Sequence, residues 1–268
     1  MSKYKIFYGG SSSLFKPEHQ DFLDNIGINE DNRFRSSDKS LVYYNDNIIV
    51  KIFYPSTNID NEISVILDTN IEEILVNDVL AYNHKLNLII YPKYKKISDI
   101  FNFNLIEFIE FISSILKILE AIHEQNIIHQ DVSIHNIKLK KNDKYVLIDT
   151  ETLKKSTDII KKLYDVKMFV DDIIIQFKNK LENLQEGGLN DSNPKIIILN
   201  NHIKVLQIII NTIIEQSTLV ETQIITLFDF YGILFDLLDD IKKIYEESNS
   251  YQGIFDKYII HEIVDTKN

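Results

Sequence analysis

Apolar side chains recur every three or four positions through 105–124, at Leu105, Ile109, Ile112, Leu116, Leu119 and Ile122. That is the period of a helix with one buried face. Earlier in the chain the pattern is different. Leu41-Val42-Tyr43-Tyr44 and Ile48-Ile49-Val50-Lys51-Ile52-Phe53 are β-rich runs, and Asn45-Asp46-Asn47 between them predicts a hairpin. Pro55 ends the second run, because proline cannot donate to a ladder. Residues 60–82 read as mostly helical, with an interruption near Asp68-Thr69-Asn70. Leu86 to Tyr91 is a compact apolar strand, broken by Pro92-Lys93-Tyr94. A non-periodic stretch covers 127–136. A second hairpin follows, from Ile137-Lys138-Leu139 across a Lys-Asn-Asp turn to Tyr145-Val146-Leu147-Ile148. After about residue 157 the chain reads as helices, with one clear loop from Glu186 through Gly187-Gly188 to Pro194. The first 30 residues give no firm pattern. Gly9-Gly10-Ser11-Ser12-Ser13 is a turn, and no Gly-Lys-Ser/Thr follows to make it a phosphate loop.

Strands dominate before Pro92 and helices after it, which predicts two lobes: 1–91, a short connection at 92–96, and a helical lobe at 97–268. A chain of 268 residues suits one large domain or two small lobes. Hydrophobic residues at 44% and charged residues at 26% are those of a folded protein, so disorder is excluded for most of it. Cysteine is absent, which removes disulfides, thiol nucleophiles and thiolate metal sites. A net charge of −11 argues against nucleic acid and against anionic membrane surfaces as partners. No uninterrupted apolar run nears the ~18 residues of a membrane span, and the N-terminal stretch lacks the apolar core of a secretory signal. The expectation is an intracellular, cytoplasmic protein without membrane insertion, of open oligomeric state. Isoleucine occurs 49 times and arginine twice, so individual Ile choices carry less structural information than usual.

The chemistry concentrates in 123–151. His129-x-Asp131 is followed by Asn136, a hairpin and an apolar strand ending in Asp149. An isolated His-x-Asp means little, whereas this ordered set after a long amphipathic helix is specific. It resembles the catalytic core of the protein-kinase-like superfamily. The resemblance implies a bilobal α+β fold, with a small antiparallel-sheet N-lobe, a mainly helical C-lobe, and ATP and Mg²⁺ as cofactors. Asp131 would orient the proton of an attacking hydroxyl. Asn136 and Asp149 would hold Mg²⁺, which needs only one or two protein oxygens beside phosphates and water. His129 would support the loop, and Asp165, at the start of Tyr164-Asp165-Val166, would support its backbone. Lys51 resembles the strand lysine that meets the α- and β-phosphates. Glu62 resembles its helix partner, with Glu72 and Glu73 as rivals. Tyr91, Lys93 and Tyr94 would form the adenine hinge with Pro92. Ser37, Ser40 and Val42 would stand where the phosphate-covering loop lies.

The pattern departs from the family in four places. The stretch from Ser36 to Tyr43 has no glycine, so serine amides would approach phosphate less closely. Gln130 replaces the usual arginine. Thr150-Glu151 follows Asp149 in place of Phe-Gly. Only 16 residues separate Asp149 from Asp165, too few for an ordinary activation segment. Together these imply a divergent Ser/Thr-type protein kinase that is not switched on by loop phosphorylation, acting on a protein hydroxyl. Ser133, where such kinases carry lysine, keeps a small-molecule phosphotransferase of the aminoglycoside or choline kinase sort in view. A pseudokinase, using the fold as a binding module, is the non-enzymatic alternative. His123 and His135 read as ordinary polar residues, and Asp171-Asp172 and Asp239-Asp240 as solvated faces. The apolar stripes after 196 read as helix core.

Overall fold

The computed structural model describes residues 16–36, 40–55, 59, 63, 79–97, 99–149 and 152–258. The architecture is α+β, with a small antiparallel sheet region and a mostly helical remainder. The chain divides into two units, Met1–Lys95 with Leu139–Lys144, and Lys96–Lys138 with Tyr145–Asn268.

The first unit opens with helix α1, Pro17–Asn25. Its sheet holds β1 (Arg33–Ser36), β2 (Ser40–Tyr44), β3 (Ile48–Phe53), β4 (Ala81–Asn83) and β5 (Leu88–Pro92), in the order β1-β2-β3-β5-β4. Side chains alternate between its faces. Leu41, Tyr43, Val50, Ile52 and Leu88 pack with Leu23 of α1 and with Ile28 beyond it. Phe53, Ile89 and Tyr91 pack with Ile59 and Ile63. The turn at 45–47 is tight because Asn45 Oδ1 accepts from the N–H groups of Asn47 and Ile48, at 2.9 and 3.0 Å.

One expectation needs correction here, and one helix gave no pattern. The helix α1 was not legible, because PEHQDFLDN carries few apolar residues; it starts at Pro17 and is held by buried His19. His19 Nδ1 accepts from the Lys16 N–H, so Nε2 donates to Leu86 O at 2.7 Å. Ala81–Asn83, read as the end of a helical stretch, is a strand whose Tyr82 pairs with Ile89. β5 ends at Pro92, opposite Ile48, where the expected break begins.

β6 (Lys95–Lys96), β8 (Ile137–Leu139) and β9 (Tyr145–Leu147) form a small sheet in the order β6-β8-β9. Between β6 and β8 come α2 (Leu105–Glu124) and β7 (Ile127–Ile128). Then follow β10 (Lys154–Lys155), α3 (Ile159–Glu186), α4 (Pro194–Glu221), α5 (Leu227–Ser248) and α6 (Tyr251–Lys257). Helix α2 packs against α3 and α5, α3 against α4, and α5 against α4 and α6. Neighbours on several sides explain why α2 buries Phe108, Phe111 and Ile118 as well as its predicted stripe. The bundle's helices start where side chains meet otherwise orphaned N–H groups. Asn104 and Glu107 cap α2 reciprocally, Thr226 and Asp229 cap α5, and Asn193 caps α4 ahead of Pro194. Each such cap contributes about 1 kcal/mol. Gly188, at φ +90, takes the α3–α4 connection through a backbone conformation that a side chain would strain.

By length and composition alone, α4 is apolar enough to cross a membrane. It packs as a core helix does, burying Leu199, Leu206, Ile209 and Ile213.

Candidate active site

The stretch after α2 is built around one carboxylate. Asp165, on the second turn of α3, is buried at 1% exposure. It accepts from the backbone N–H of His129 at 2.7 Å and of Gln130 at 2.8 Å. It also accepts from His123 Nε2 at 3.1 Å, which fixes the tautomer: His123 Nδ1 must accept, and the Tyr231 hydroxyl donates to it at 2.7 Å. Burial pushes the His123 pKa down, against the pull of Asp165, and holds the Tyr231 hydroxyl far above its usual range. Lys162, one turn before Asp165, donates to His123 O at 2.7 Å and to Asn126 Oδ1 at 2.8 Å. Its ammonium therefore sits where the last carbonyls of α2 collect partial negative charge.

Asp131 follows this anchor. Its carbonyl accepts from the Ser133 N–H at 3.1 Å and from Asn136 Nδ2 at 3.0 Å. The same Asn136 nitrogen donates to Asp131 Oδ2 at 2.9 Å. Residues Ile134–Asn136 form a single 3-10 turn, and the Ile134 N–H donates to Asp172 Oδ2 at 2.7 Å. Asp131 and Asn136 are thereby one hydrogen-bonded unit, both half-buried.

Asp149 is brought to this unit by the hairpin. The Ile148 N–H donates to Asn136 O at 2.7 Å, and His129 Nε2 donates to Ile148 O at 3.1 Å. Burial lowers the His129 pKa, so the ring is a neutral strut between the loop and the end of β9. Asp149 itself sits at φ +70, and its carbonyl accepts from Thr152 Oγ1 at 2.9 Å. Gln130, at φ +65, is a second non-glycine residue in that sparsely populated region. Gln130 adjoins Asp131 and is held in that conformation by the bond from its N–H to Asp165. The return to α3 is short because β10 pairs at once with β7, Lys154 opposite Ile128 and Lys155 opposite Ile127.

Residues 129, 131, 136, 149 and 165 are thus one hydrogen-bonded set within the second unit. Among the described residues, no three His, Asp or Glu side chains converge to hold a metal by themselves. The donor chemistry fits a lightly coordinated Mg²⁺: the Asn136 nitrogen is committed to Asp131, which leaves its side-chain oxygen without a hydrogen bond among the described residues, and the Asn136 backbone is bonded to the strand end that carries Asp149.

The other candidates lie in the first unit. Lys51 is buried at 9% exposure on β3, opposite Val42 and Ile89. By the two-residue period it shares the face of Ile49 and Phe53, which packs with Ile59 and Ile63. Ser40 is buried opposite Phe53, and Tyr91 is buried opposite Ile49. Lys93 is committed locally. Its N–H donates to Asn47 O, its Nζ donates to Asn45 O, both at 2.8 Å, and the ammonium lies 4.3 Å from the Tyr44 ring centre. Of its backbone only the carbonyl remains for a hinge contact. Tyr94 is half-buried. Ser37, Glu62, Glu72, Glu73, Thr150 and Glu151 lie outside the described residues.

Four side chains around the loop escaped the sequence reading. His123 is a buried bridge, not an ordinary polar residue. Asp172 is not a solvated face, since it holds the Ile134 N–H. Lys162 and Tyr231 carried no signal at all, apart from Lys162 standing three residues before Asp165 on the same helical face.

No family model matches the chain, and no curated protein matches it.

Proposed function

We propose that the protein is an ATP- and Mg²⁺-dependent phosphotransferase of bilobal, kinase-like fold, acting on a hydroxyl. The single observation that supports this reading best is the locked set Asp131–Asn136–Asp149. The Asp131 carboxylate is pinned by the amide nitrogen of Asn136, and the backbone of Asn136 is bonded to the strand end that carries the second carboxylate, Asp149. Phosphoryl transfer asks the protein for little beyond this positioning and charge. Asp131 would accept a hydrogen bond from the acceptor hydroxyl and take its proton as the new oxygen–phosphorus bond forms and the bond from the γ-phosphorus to the bridging oxygen of the departing ADP breaks. Asn136 and Asp149 would hold the Mg²⁺, which neutralises charge on the phosphate oxygens when bound. Lys51 would meet the α- and β-phosphates. With Gln130 in place of arginine and a connection that returns at once to β7, activity would not wait on loop phosphorylation. The first choice of acceptor is a protein Ser/Thr hydroxyl. Ser133, two residues after Asp131, favours a small-molecule hydroxyl as the second reading, since no lysine stands there to serve a protein acceptor.

The test is transfer from labelled ATP with Mg²⁺, for the wild type, Asp131→Ala and Asp149→Ala. Label should reach protein, and each substitution should lower the rate by about a hundredfold or more. ADP release stimulated only by small hydroxyl compounds would move the acceptor to the second reading. Absence of both transfer and Mg²⁺-dependent thermal stabilisation by ATP would overturn the enzymatic reading and leave a binding module.

A further inference from the structure

We infer that Asp172 is a positioning residue for Asp131, the second of two anchors that α3 extends to the loop. The anchor is a structural claim; its effect on turnover rests on the phosphotransferase reading above. Asp165 and Asp172 stand seven residues apart, close to two full helical turns, so both carboxylates face the same way. Asp165 takes the N–H groups of His129 and Gln130, and Asp172 takes that of Ile134. Residues 131–133 are strung between these points. Ile134 opens the 3-10 turn, so its N–H has no partner within the turn. Ser133, in the N-cap position, makes no side-chain cap bond. Asp172 supplies from another helix the acceptor for this first N–H, which lies outside the reach of a cap side chain. The consequence reaches the carboxylate because Asn136, at the end of the same turn, bonds both the carbonyl and Oδ2 of Asp131. Shifting the start of the turn shifts the group that aims Asp131. Adjacent Asp171 has a different duty, an ion pair with Lys167 on its own helix. It serves as a control of equal charge.

The experiment compares Asp172→Ala, Asp172→Asn and Asp171→Ala, reading amide exchange and steady-state kinetics. Asp172→Ala should speed exchange at Ile134 by about tenfold or more, while His129 and Gln130 stay protected by Asp165. It should lower kcat by roughly tenfold to a hundredfold, with KM for ATP within about twofold. Asp172→Asn keeps an acceptor oxygen and should recover most of both, and Asp171→Ala should change neither. Should Asp172→Ala fail to fold, Asp172→Ser, too short to reach Ile134, gives the same readouts. Unchanged exchange at Ile134 would overturn the anchor. Loosened exchange with undiminished kcat would overturn the positioning role. If the wild type transfers no phosphate, the functional reading falls while the Ile134 exchange still decides for or against the anchor.

Discussion

His123 and His202 are both fully buried in the helical unit, and they mark opposite ends of α2. At its C-terminal end, both nitrogens of His123 are used, one by Tyr231 of α5 and one by Asp165 of α3. Nearer its N-terminal end, His202 of α4 lies among rings, 4.6 Å from Phe108 and 5.8 Å from Phe177 between centroids. Its Nε2 meets the Tyr251 hydroxyl at 3.2 Å, and among the described residues its Nδ1 has no partner. Both rings are neutral for the same reason, loss of water. They differ in what neutrality serves. At His123 it completes a relay that ends on the backbone N–H groups of His129 and Gln130. At His202 it fills an aromatic cluster and leaves one polar atom unpaired, which favours a stable fold only while the ring stays uncharged.

The sharpest way to break this contrast is Asp165→Ala. It strands two buried N–H groups and the His123 ring, so unfolding in urea should show a loss of about 3–5 kcal/mol. A loss below about 1 kcal/mol would mean that the relay is not a structural keystone.

The next effect is a pH dependence at the other end. Burial pushes the His202 pKa from 6.5 down to about 4. Above pH 6.5 the ring is neutral whether the chain is folded or not, and its contribution is full. As the pH falls from 6.5 towards 4, the unfolded chain takes up a proton that the folded one refuses. About 3 kcal/mol is lost across that window, and nothing further below it. His123 and His129, also lowered by burial, push stability in the same direction. Urea unfolding at pH 7 and pH 4.5 should show His202→Phe losing roughly 2–3 kcal/mol less than the wild type. An identical acid loss in both proteins would count against His202 as its source.

The smallest effects sharpen the comparison. Tyr231→Phe removes the donor to His123 in a fully buried place and should cost about 1–2 kcal/mol. Tyr251→Phe removes the longer contact to His202 at a half-buried hydroxyl and should cost less than about 1 kcal/mol. The reverse order would say that the aromatic cluster, not the relay, depends on its hydrogen bond.

Much of the framework was legible before any coordinates. The apolar period marked α2, the Asn45-Asp46-Asn47 turn marked the β2–β3 hairpin, and Gly187-Gly188 with Pro194 marked the break between α3 and α4. These features are local: period, turn chemistry and proline act within a few residues. Where the chain was read wrongly, the local signal was weak or shared. PEHQDFLDN of α1 is too polar to show a period, and its helix depends on Leu23 finding the sheet. Ala81–Asn83 has no intrinsic strand preference and is a strand because β5 offers it partners.

The candidate site divides in the same way. The order and spacing of His129, Asp131, Asn136 and Asp149 are properties of the sequence, because a loop, a hairpin and a strand end bring them together over twenty residues. Asp165 was already implied by the resemblance, but the other groups that hold that loop in place were decided only by the tertiary structure. Asp165, Asp172, Lys162, His123 and Tyr231 come from three helices, and a carboxylate on a helix face reads the same in a sequence whether it meets water or a backbone N–H. The difference is burial. Only packing removes the water, and only then does an acceptor such as Asp172 become the one available partner for Ile134.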